Sequence, residues 1–235
     1  MILYKIYSFC IALPLFVLDT IFTSLASAFG TLFPNADVIY TKVVKWWGKK
    51  TCKLFLLPIT TEGLDMLDEK QSYVFIANHQ GYLDIFLCYG YLNHDIKWMM
   101  KEYLKKIPFV GWACEKTRQV FVGDSRSSIQ EAIEQSKQTL QSGMSMVIFP
   151  EGTRTHDGRM QEFKRGAFML ANDIELPIVP LTIKGSYEAF SRTAKSVSRH
   201  RLTLIAHKPI TVEERKGKPT KQLMQEVFDI VNSDL

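Results

Sequence analysis

Cysteine is scarce in this chain and its spacing carries no pattern. The four residues, Cys10, Cys52, Cys88 and Cys114, include no C-x-x-C pair. Neither a disulfide framework nor a zinc site is indicated, and they read as reduced, mostly buried thiols. Histidine is equally sparse. Five are present, at 79, 94, 156, 200 and 207, and none stands in a D-x-H, H-x-H or H-E-x-x-H context, so common metal-ligand spacings are missing. No G-x-S-x-G elbow occurs, because Gly143-Met144-Ser145-Met146-Val147 lacks the second glycine. Gly-rich phosphate loops and internal repeats are absent as well. The basic residues form no aromatic-interleaved strand face, which argues against nucleic acid as a partner.

What is present bounds the architecture. The chain has 235 residues, 46% hydrophobic and 23% charged, enough for one sizeable α/β core plus an appendage. A net charge of +5 suits an anionic membrane surface, a phosphorylated ligand or a nucleic acid, and does not choose among them. Residues 6–33 are almost entirely apolar, interrupted by Pro14 and Asp19. A transmembrane helix needs about 20 such residues, but Asp19 near the middle would cost roughly 3 kcal/mol. A signal peptide would account for Lys5, the apolar run and the small residues Ala26-Ser27-Ala28. A third arrangement is two shorter helices, 2–18 and 20–33, lying in one leaflet, bent at Pro14 and Asp19-Thr20, with Asp19 snorkelling to the headgroups.

The next segment favours a retained anchor. Lys42, Lys45, Lys49, Lys50 and Lys53 are interleaved with Trp46 and Trp47. On a helix the lysines at 42, 45, 49 and 53 share one side, with the tryptophans turned away, as at the cytoplasmic interface of a membrane. The simpler alternative is a solvated lysine face over a Trp-lined core. The expected division is therefore an anchor and interfacial helix over 1–53 and a catalytic domain over 54–235.

Beyond residue 54, strands and helices alternate. Short β-branched and aromatic runs predict strands at 73–77, 96–99, 119–122, 145–149, 178–183 and 201–206. Helical spacing predicts helices at 84–92, 127–142, 164–173 and 220–232, the second opening on a capping box at Ser128-Ile129-Gln130-Glu131. Alternation of this kind implies a layered α/β domain with its site at the strand ends.

Two polar blocks stand directly after two of those runs. The first, Asn78-His79-Gln80-Gly81-Tyr82-Leu83-Asp84, sets a titratable base and a carboxylate five positions apart. On one helix such a pair would sit roughly 140° apart, so the two meet only if the chain turns between them, which Gly81 permits and Asn78 could brace. His79 at a strand end and Asp84 in the first turn of the next helix would let the carboxylate hold one ring nitrogen while the other faces substrate. With no nucleophile in the block, the economical role for His79 is general base toward a hydroxyl. The structural alternative is a turn-capping histidine with an aspartate favouring a helix N-terminus. The second block is Phe149-Pro150-Glu151-Gly152-Thr153-Arg154-Thr155. Arg154 offers a planar fork for phosphate or carboxylate, Lys164 and Arg165 add charge, and Glu151 could hold Arg154 or bind ligand hydroxyls. Its structural alternative is a surface turn stapled by a Glu–Arg pair.

Taken together the blocks are similar to those of a known family. Asn-His-x4-Asp at 78–84 followed by Phe-Pro-Glu-Gly-Thr-Arg at 149–154 resembles the glycerolipid acyltransferases, specifically the 1-acylglycerol-3-phosphate O-acyltransferases. Lys101-Glu102-Tyr103-Leu104 with Pro108 and Gly111 resembles the family's second block, and Leu176-Pro177-Ile178-Val179-Pro180-Leu181 its fourth. The likeness runs over residues 70–210, and the short chain with an apolar N-terminal segment is similar to bacterial members.

The resemblance implies an α/β fold, a layered mixed sheet flanked by helices, with an N-terminal membrane-associated helical segment. It implies that His79 deprotonates the sn-2 hydroxyl of lysophosphatidate, that Asp84 orients it, and that the hydroxyl attacks an acyl thioester on coenzyme A or acyl-carrier protein. Glu151, Gly152, Thr153 and Arg154 are expected around the glycerol phosphate, with Arg154 on the phosphate; Lys101 and a backbone N–H are candidate oxyanion stabilisers. Lys164 joins the substrate surface and Pro177 the acyl-donor side. No cofactor or metal is implied beyond the acyl-CoA or acyl-carrier-protein co-substrate. The partners implied are a membrane lipid acceptor and an anionic membrane surface, at a bacterial inner membrane with the site facing the cytoplasm.

One departure stands out. Relatives often carry an arginine where this chain has Asp124, in Phe121-Val122-Gly123-Asp124-Ser125-Arg126. Either Arg126 or Arg118 then serves the phosphate, or the acceptor headgroup differs, with lyso-ornithine lipid or another lysophospholipid as the rival. Readings of another class are a metal-dependent phosphoesterase with His79 and Asp84 as ligands, and a catalytically silent membrane-surface adaptor.

Overall fold

The computed structural model describes residues 2–173 and 175–235. Helix α1 (Ile2–Tyr7) runs through a wider π turn (Ser8–Ala12) into α2 (Leu13–Gly30), and the chain reverses into α3 (Ala36–Leu54). After strand β1 (Ile59–Glu62) come β2 (Val74–Ala77), α4 (Asp84–Tyr91), β3 (Ile96–Lys101), α5 (Val110–Lys116), β4 (Val120–Val122), α6 (Arg126–Gln141) and β5 (Ser145–Ile148). The rest is α7 (Gly166–Asp173), β6 (Ile178–Lys184), α8 (Ser186–Phe190), β7 (Leu202–Ala206), α9 (Val212–Arg215) and α10 (Thr220–Ser233).

The seven strands form one sheet in the order β1-β7-β6-β2-β5-β3-β4. Strands β6, β2, β5, β3 and β4 run parallel, and β7 turns back antiparallel on β6 with β1 parallel beside it. The central strands are buried on both faces, as a parallel sheet between helices requires. Phe75, Ala77, Val147 and Leu181 point to the side of α3 and α4. Val74, Ile76, Met146 and Ile148 point to that of α6, α7 and α10. All six expected strands and all four expected helices are present within a few residues. β1 was missed because Ile-Thr-Thr-Glu is half exposed and pairs on one side only, which leaves no apolar run to read. Ser128 does not cap its helix. Ser125 is the N-cap, its hydroxyl accepting from the Ser128 amide at 3.1 Å, and α6 begins at Arg126.

Of the three arrangements weighed for the N-terminal segment, the two bent helices are not the one seen. The helix runs unbroken through Asp19, and its irregularity sits at Ser8–Ala12, one turn ahead of Pro14. Proline has no N–H for the Cys10 carbonyl and its ring crowds that oxygen, which the wider turn accommodates. Asp19 does not reach toward headgroups either. It is buried, and its Oδ1 accepts from Lys50 Nζ at 2.7 Å. The pairing turns α2 and α3 into a hairpin, which is closed further by Trp47 Nε1 donating to Thr20 Oγ1 at 3.2 Å and by Tyr4 and Tyr7 donating to the Phe55 and Leu54 carbonyls. Ile2–Gly30 is long and apolar enough, by length and composition, to cross a membrane. Its outer face exposes Leu15, Leu18, Phe22 and Phe29. Of the two tryptophans, Trp47 turns inward against Phe86, whereas Trp46 stays exposed beneath the Lys50 ammonium.

Two contacts fasten this hairpin to the sheet. Lys97 of β3 is buried and reaches Asp37, in the first turn of α3, at 2.9 Å. Where α3 crosses α4, Gly48 meets Gly90 so closely that a Cβ on Gly48 would stand 2.6 Å from the Gly90 nitrogen and 2.7 Å from the Phe86 oxygen. Small residues permit such backbone approach. Gly48→Ala is expected to destabilise the protein by about 1–3 kcal/mol through overpacking, read as a lowered melting temperature in detergent; an unchanged melting temperature would mean that the crossing yields without strain.

Candidate active site

The site lies on the C-terminal edge of the parallel strands, where β2, β5, β3 and β4 end side by side. His79 follows β2, Glu151–Thr155 follow β5, Lys101 ends β3, and Asp124 and Arg126 follow β4. Strand adjacency thus gathers residues that are far apart in sequence.

Two residues past β2, the chain turns so that Asp84, the first residue of α4, comes back under His79. His79 Nδ1 and Asp84 Oδ2 are 2.7 Å apart, with the carboxylate fully buried. A carboxylate only accepts, so Nδ1 carries the hydrogen and, in the neutral ring, Nε2 is left with a free lone pair. The same Oδ2 also accepts from the amides of Gln80 at 2.8 Å and Gly81 at 3.0 Å. Three donors on one oxygen fix the carboxylate and hence the ring. The imidazole lies flat on Phe149, centroids 3.9 Å apart and planes 4° from parallel, and Phe149 in turn stacks on Trp98. One edge of the ring remains open, the side chain being 16% exposed.

The loop after β5 holds the backbone of His79 from both sides. Glu151 Oε1 accepts from the His79 amide at 2.6 Å, and the Thr155 amide donates to the His79 carbonyl at 2.9 Å. The other carboxylate oxygen of Glu151 accepts from the Gln161 amide at 2.9 Å. Burial pushes the Glu151 carboxyl up to about 7; the two amide donors hold the rise back and the nearby Asp84 charge adds to it. Gly152 adopts a φ of +73°, in the left-handed region, and the Lys164 amine lies directly over it. Arg154 rests on the face of Tyr82, its guanidinium carbon 3.7 Å from the ring centroid, so the fork is held flat by a cation–π contact. Thr153 is exposed, within 3.4 Å of Arg192.

Several expectations change here. Glu151 does not hold Arg154; it is buried behind His79 and ties two amides. Asn78 braces no turn. Its amide pairs both ways with the Ile183 backbone, accepting at 2.7 Å and donating at 2.9 Å, and extends the β2–β6 ladder past the end of β2. Gly81 is required for space rather than for a turn conformation, since a Cβ there would lie 2.4 Å from the Ser186 oxygen of α8. Pro177 stands beside Val74 at the opposite ends of β6 and β2, roughly 16 Å of strand away from His79, so it shapes the far edge and does not line the site. Arg118 precedes β4 and is likewise at the far edge, whereas Arg126 opens α6 on the near one. Lys101 is taken up by Asp124 at 2.6 Å. Phe149, Trp98 and Tyr82, which position the ring and the guanidinium, were not singled out from the sequence. Phe149 and Tyr82 sit inside the two blocks, but nothing in their spacing announces a stacking role. Among the described residues no group of three or more His, Cys, Asp or Glu side chains is arranged to hold a metal ion, and the four cysteines are free thiols.

The sequence profile of the family described as Acyltransferase matches residues 58–184, over half of the chain and including both polar loops. The chain belongs to the acyltransferase family. Among members of known name, the chloroplast 1-acyl-sn-glycerol-3-phosphate acyltransferase LPAT1 of Arabidopsis thaliana is 32% identical over 172 residues, covering 72% of this chain and 48% of its own length. The 1-acyl-sn-glycerol-3-phosphate acyltransferase of Saccharomyces cerevisiae is 32% identical over 170 residues, 68% of this chain and 54% of its own. The chain thus spans about half the length of these curated relatives. The crystal structure of the 1-acyl-sn-glycerophosphate acyltransferase PlsC from Thermotoga maritima superposes with a TM-score of 0.82 at 26% identity, covering 99% of this chain and 93% of that one. This acyltransferase therefore shares the mixed-sheet fold with that protein from its N-terminal helices onward.

Because the Glu151 carboxyl sits higher in the folded protein than its ordinary value of 4.5, the folded state holds the proton more tightly. Stability should fall as pH rises from about 4.5 to about 7. Chemical denaturation across that window should show a shallower pH slope in Glu151→Gln than in the parent; identical slopes would remove Glu151 as the source.

Proposed function

We propose that the protein transfers a fatty acyl group from an acyl thioester, of coenzyme A or acyl-carrier protein, to the sn-2 hydroxyl of 1-acylglycerol-3-phosphate, giving phosphatidic acid for phospholipid biosynthesis. The observation that carries this reading is the His79–Asp84 pair, with Nδ1 committed to a buried carboxylate and the opposite nitrogen left at the open edge of the ring. The names of the relatives support the acceptor.

In the proposed reaction, His79 Nε2 takes the proton of the acceptor hydroxyl as its oxygen attacks the thioester carbonyl. Asp84 stabilises the imidazolium that forms. The tetrahedral intermediate collapses by breaking the C–S bond, and the departing thiolate takes the proton from His79. No acyl-enzyme is needed, since base, hydroxyl and thioester meet in one step of positioning. Arg154, held flat on Tyr82, presents its fork to the acceptor phosphate, with Lys164 adding positive charge across Gly152. Lys101 and a loop amide are assigned to the developing oxyanion. The Lys101–Asp124 pair must open or rotate for that role, and its exposed position makes such movement inexpensive. The apolar face of α2 would bring the site to a membrane that supplies the acceptor, the inner membrane of a bacterium with the site on the cytoplasmic side.

His79→Ala should lower kcat on the order of 10²–10⁴-fold while the fold persists, read with purified protein, lysophosphatidate and a labelled acyl thioester. Near-parental activity in that variant would overturn the base assignment. A panel of lysolipids tests the acceptor: lysophosphatidate should be used best, and turnover of lyso-ornithine lipid or another lysophospholipid in its place would transfer the reaction to that headgroup. Arg154→Ala should raise KM for lysophosphatidate about 10–100-fold with a smaller effect on kcat, the loss of a charge-assisted contact to phosphate.

A further inference from the structure

The sheet edge that carries His79 has a concavity on its other side. Successive residues at the end of β2 point to opposite faces: the His79 ring stacks on Phe149 on the α4 side, and Gln80 lines a cleft of about 610 Å³ on the α10 side. That cleft is bounded by the ends of β6 and β7, where Lys184 and Thr203 are paired in register, by Gly158–Met160 of the loop after β5, and by Asn232 of α10. Its volume is within the range of small-molecule sites, roughly 300–1,000 Å³.

The cleft carries an excess of positive charge. Arg159, Lys184 and Arg201 line it with His200, against the carboxylate of Glu188 and the final residue, Leu235. None of these side chains is in an ion pair among the described residues. Arg201 reaches only the Thr60 hydroxyl, at 3.1 Å. Gln80 is 3% exposed and its side-chain nitrogen has no partner, although a buried amide of this kind is ordinarily satisfied. Three cations lining one cleft and an orphaned donor describe a site for a ligand with more than one phosphate. Apolar surface from Met160 can take the face of a flat ring.

The position of the cleft selects among phosphorylated ligands. The apolar outer face of α2 belongs to the hairpin packed on the α3–α4 side of the sheet, and the cleft opens on the α10 side, turned away from it. A ligand there arrives from water and not from a lipid layer. We infer that this cleft binds the phosphorylated nucleotide end of coenzyme A, so that the acyl donor lies across the strand ends with its thioester at His79. The inference rests on the acyl-thioester reading proposed above. The distance is within reach: Gln80 and His79 are neighbours in the chain, and the pantetheine arm comprises three extended chain units, at least about 10 Å in span.

The experiment compares the parent with a Lys184→Gln, Arg201→Gln double variant, using palmitoyl-CoA, palmitoyl-pantetheine (which lacks the nucleotide) and palmitoyl-acyl-carrier protein as donors. KM for palmitoyl-CoA should rise about tenfold or more with kcat nearly unchanged, and KM for palmitoyl-pantetheine should stay as it was. Equal changes for both donors, or none, would overturn the inference, as would a loss confined to the carrier-protein donor, which would make the cleft a docking site for an acidic protein. Calorimetry with adenosine 3′,5′-bisphosphate provides a readout independent of turnover. Binding to the parent that is lost in the variant supports the cleft even where no acyl transfer is detected, in which case the failure belongs to the proposed reaction. Transfer from palmitoyl-CoA with no binding of the bisphosphate and no split in KM leaves the reaction standing and sinks the cleft.

Discussion

His79 belongs to two loops at once. Its side chain is fixed by Asp84, five residues along its own segment, but its peptide is fixed by the loop after β5, with the amide on Glu151 and the carbonyl on the Thr155 amide. Neither loop has a defined path without the other, since a strand-end loop needs partners for its backbone polar groups and each supplies them to its neighbour. The ring stack on Phe149 completes the arrangement from the same β5 segment. The parallel pairing of β2 with β5 is what makes this possible, because it sets both C-terminal ends level on one edge. Disturbing the register of those two strands would displace the His79 imidazole, the Asp84 carboxylate and the Arg154 guanidinium together.

The use of a buried glutamate for this junction has an electrostatic side. A carboxylate out of water beside Asp84 is a strained choice, and its affinity for a proton is raised accordingly. Two backbone amides, one on each oxygen, make it tolerable. A neutral side chain could accept at only one of those positions, so the geometry favours the carboxylate in spite of its desolvation.

Much of this was legible in the residues, and the remainder was not for definite reasons. Short apolar runs marked the five inner strands and the edge strand β4, whose Val-Phe-Val is apolar throughout, and β1 escaped because Ile-Thr-Thr-Glu holds no such run. The i, i+5 spacing of His79 and Asp84, with a strand before and a helix after, led directly to the pair seen. Partner choice was harder. Glu151 near Arg154 in sequence suggested an ion pair, but burial under the β2 loop gave the carboxylate two amides instead. One of the arrangements weighed had Asp19 escape the apolar segment toward headgroups, but Lys50, 31 residues away in the chain, meets it inside the hairpin. Pro177 looked like part of the site because it belongs to a recognisable block; strand direction alone places it at the wrong end of β6. Local sequence announces which groups are reactive, and the topology decides which of them ever meet.

The glycine crossing of α3 and α4 has a mechanical meaning. With backbone against backbone at Gly48 and Gly90, and Lys97 paired with Asp37 at the other end, the hairpin is fastened to the sheet at two points. Wherever the apolar face of α2 comes to rest against a lipid layer, His79 is carried at a set height and tilt above it. Depth becomes a property of the scaffold. On the proposed reaction, a lipid acceptor would have to rise to meet His79, and its hydroxyl, a fixed number of bonds from its buried chain, would be measured against that height as against a ruler.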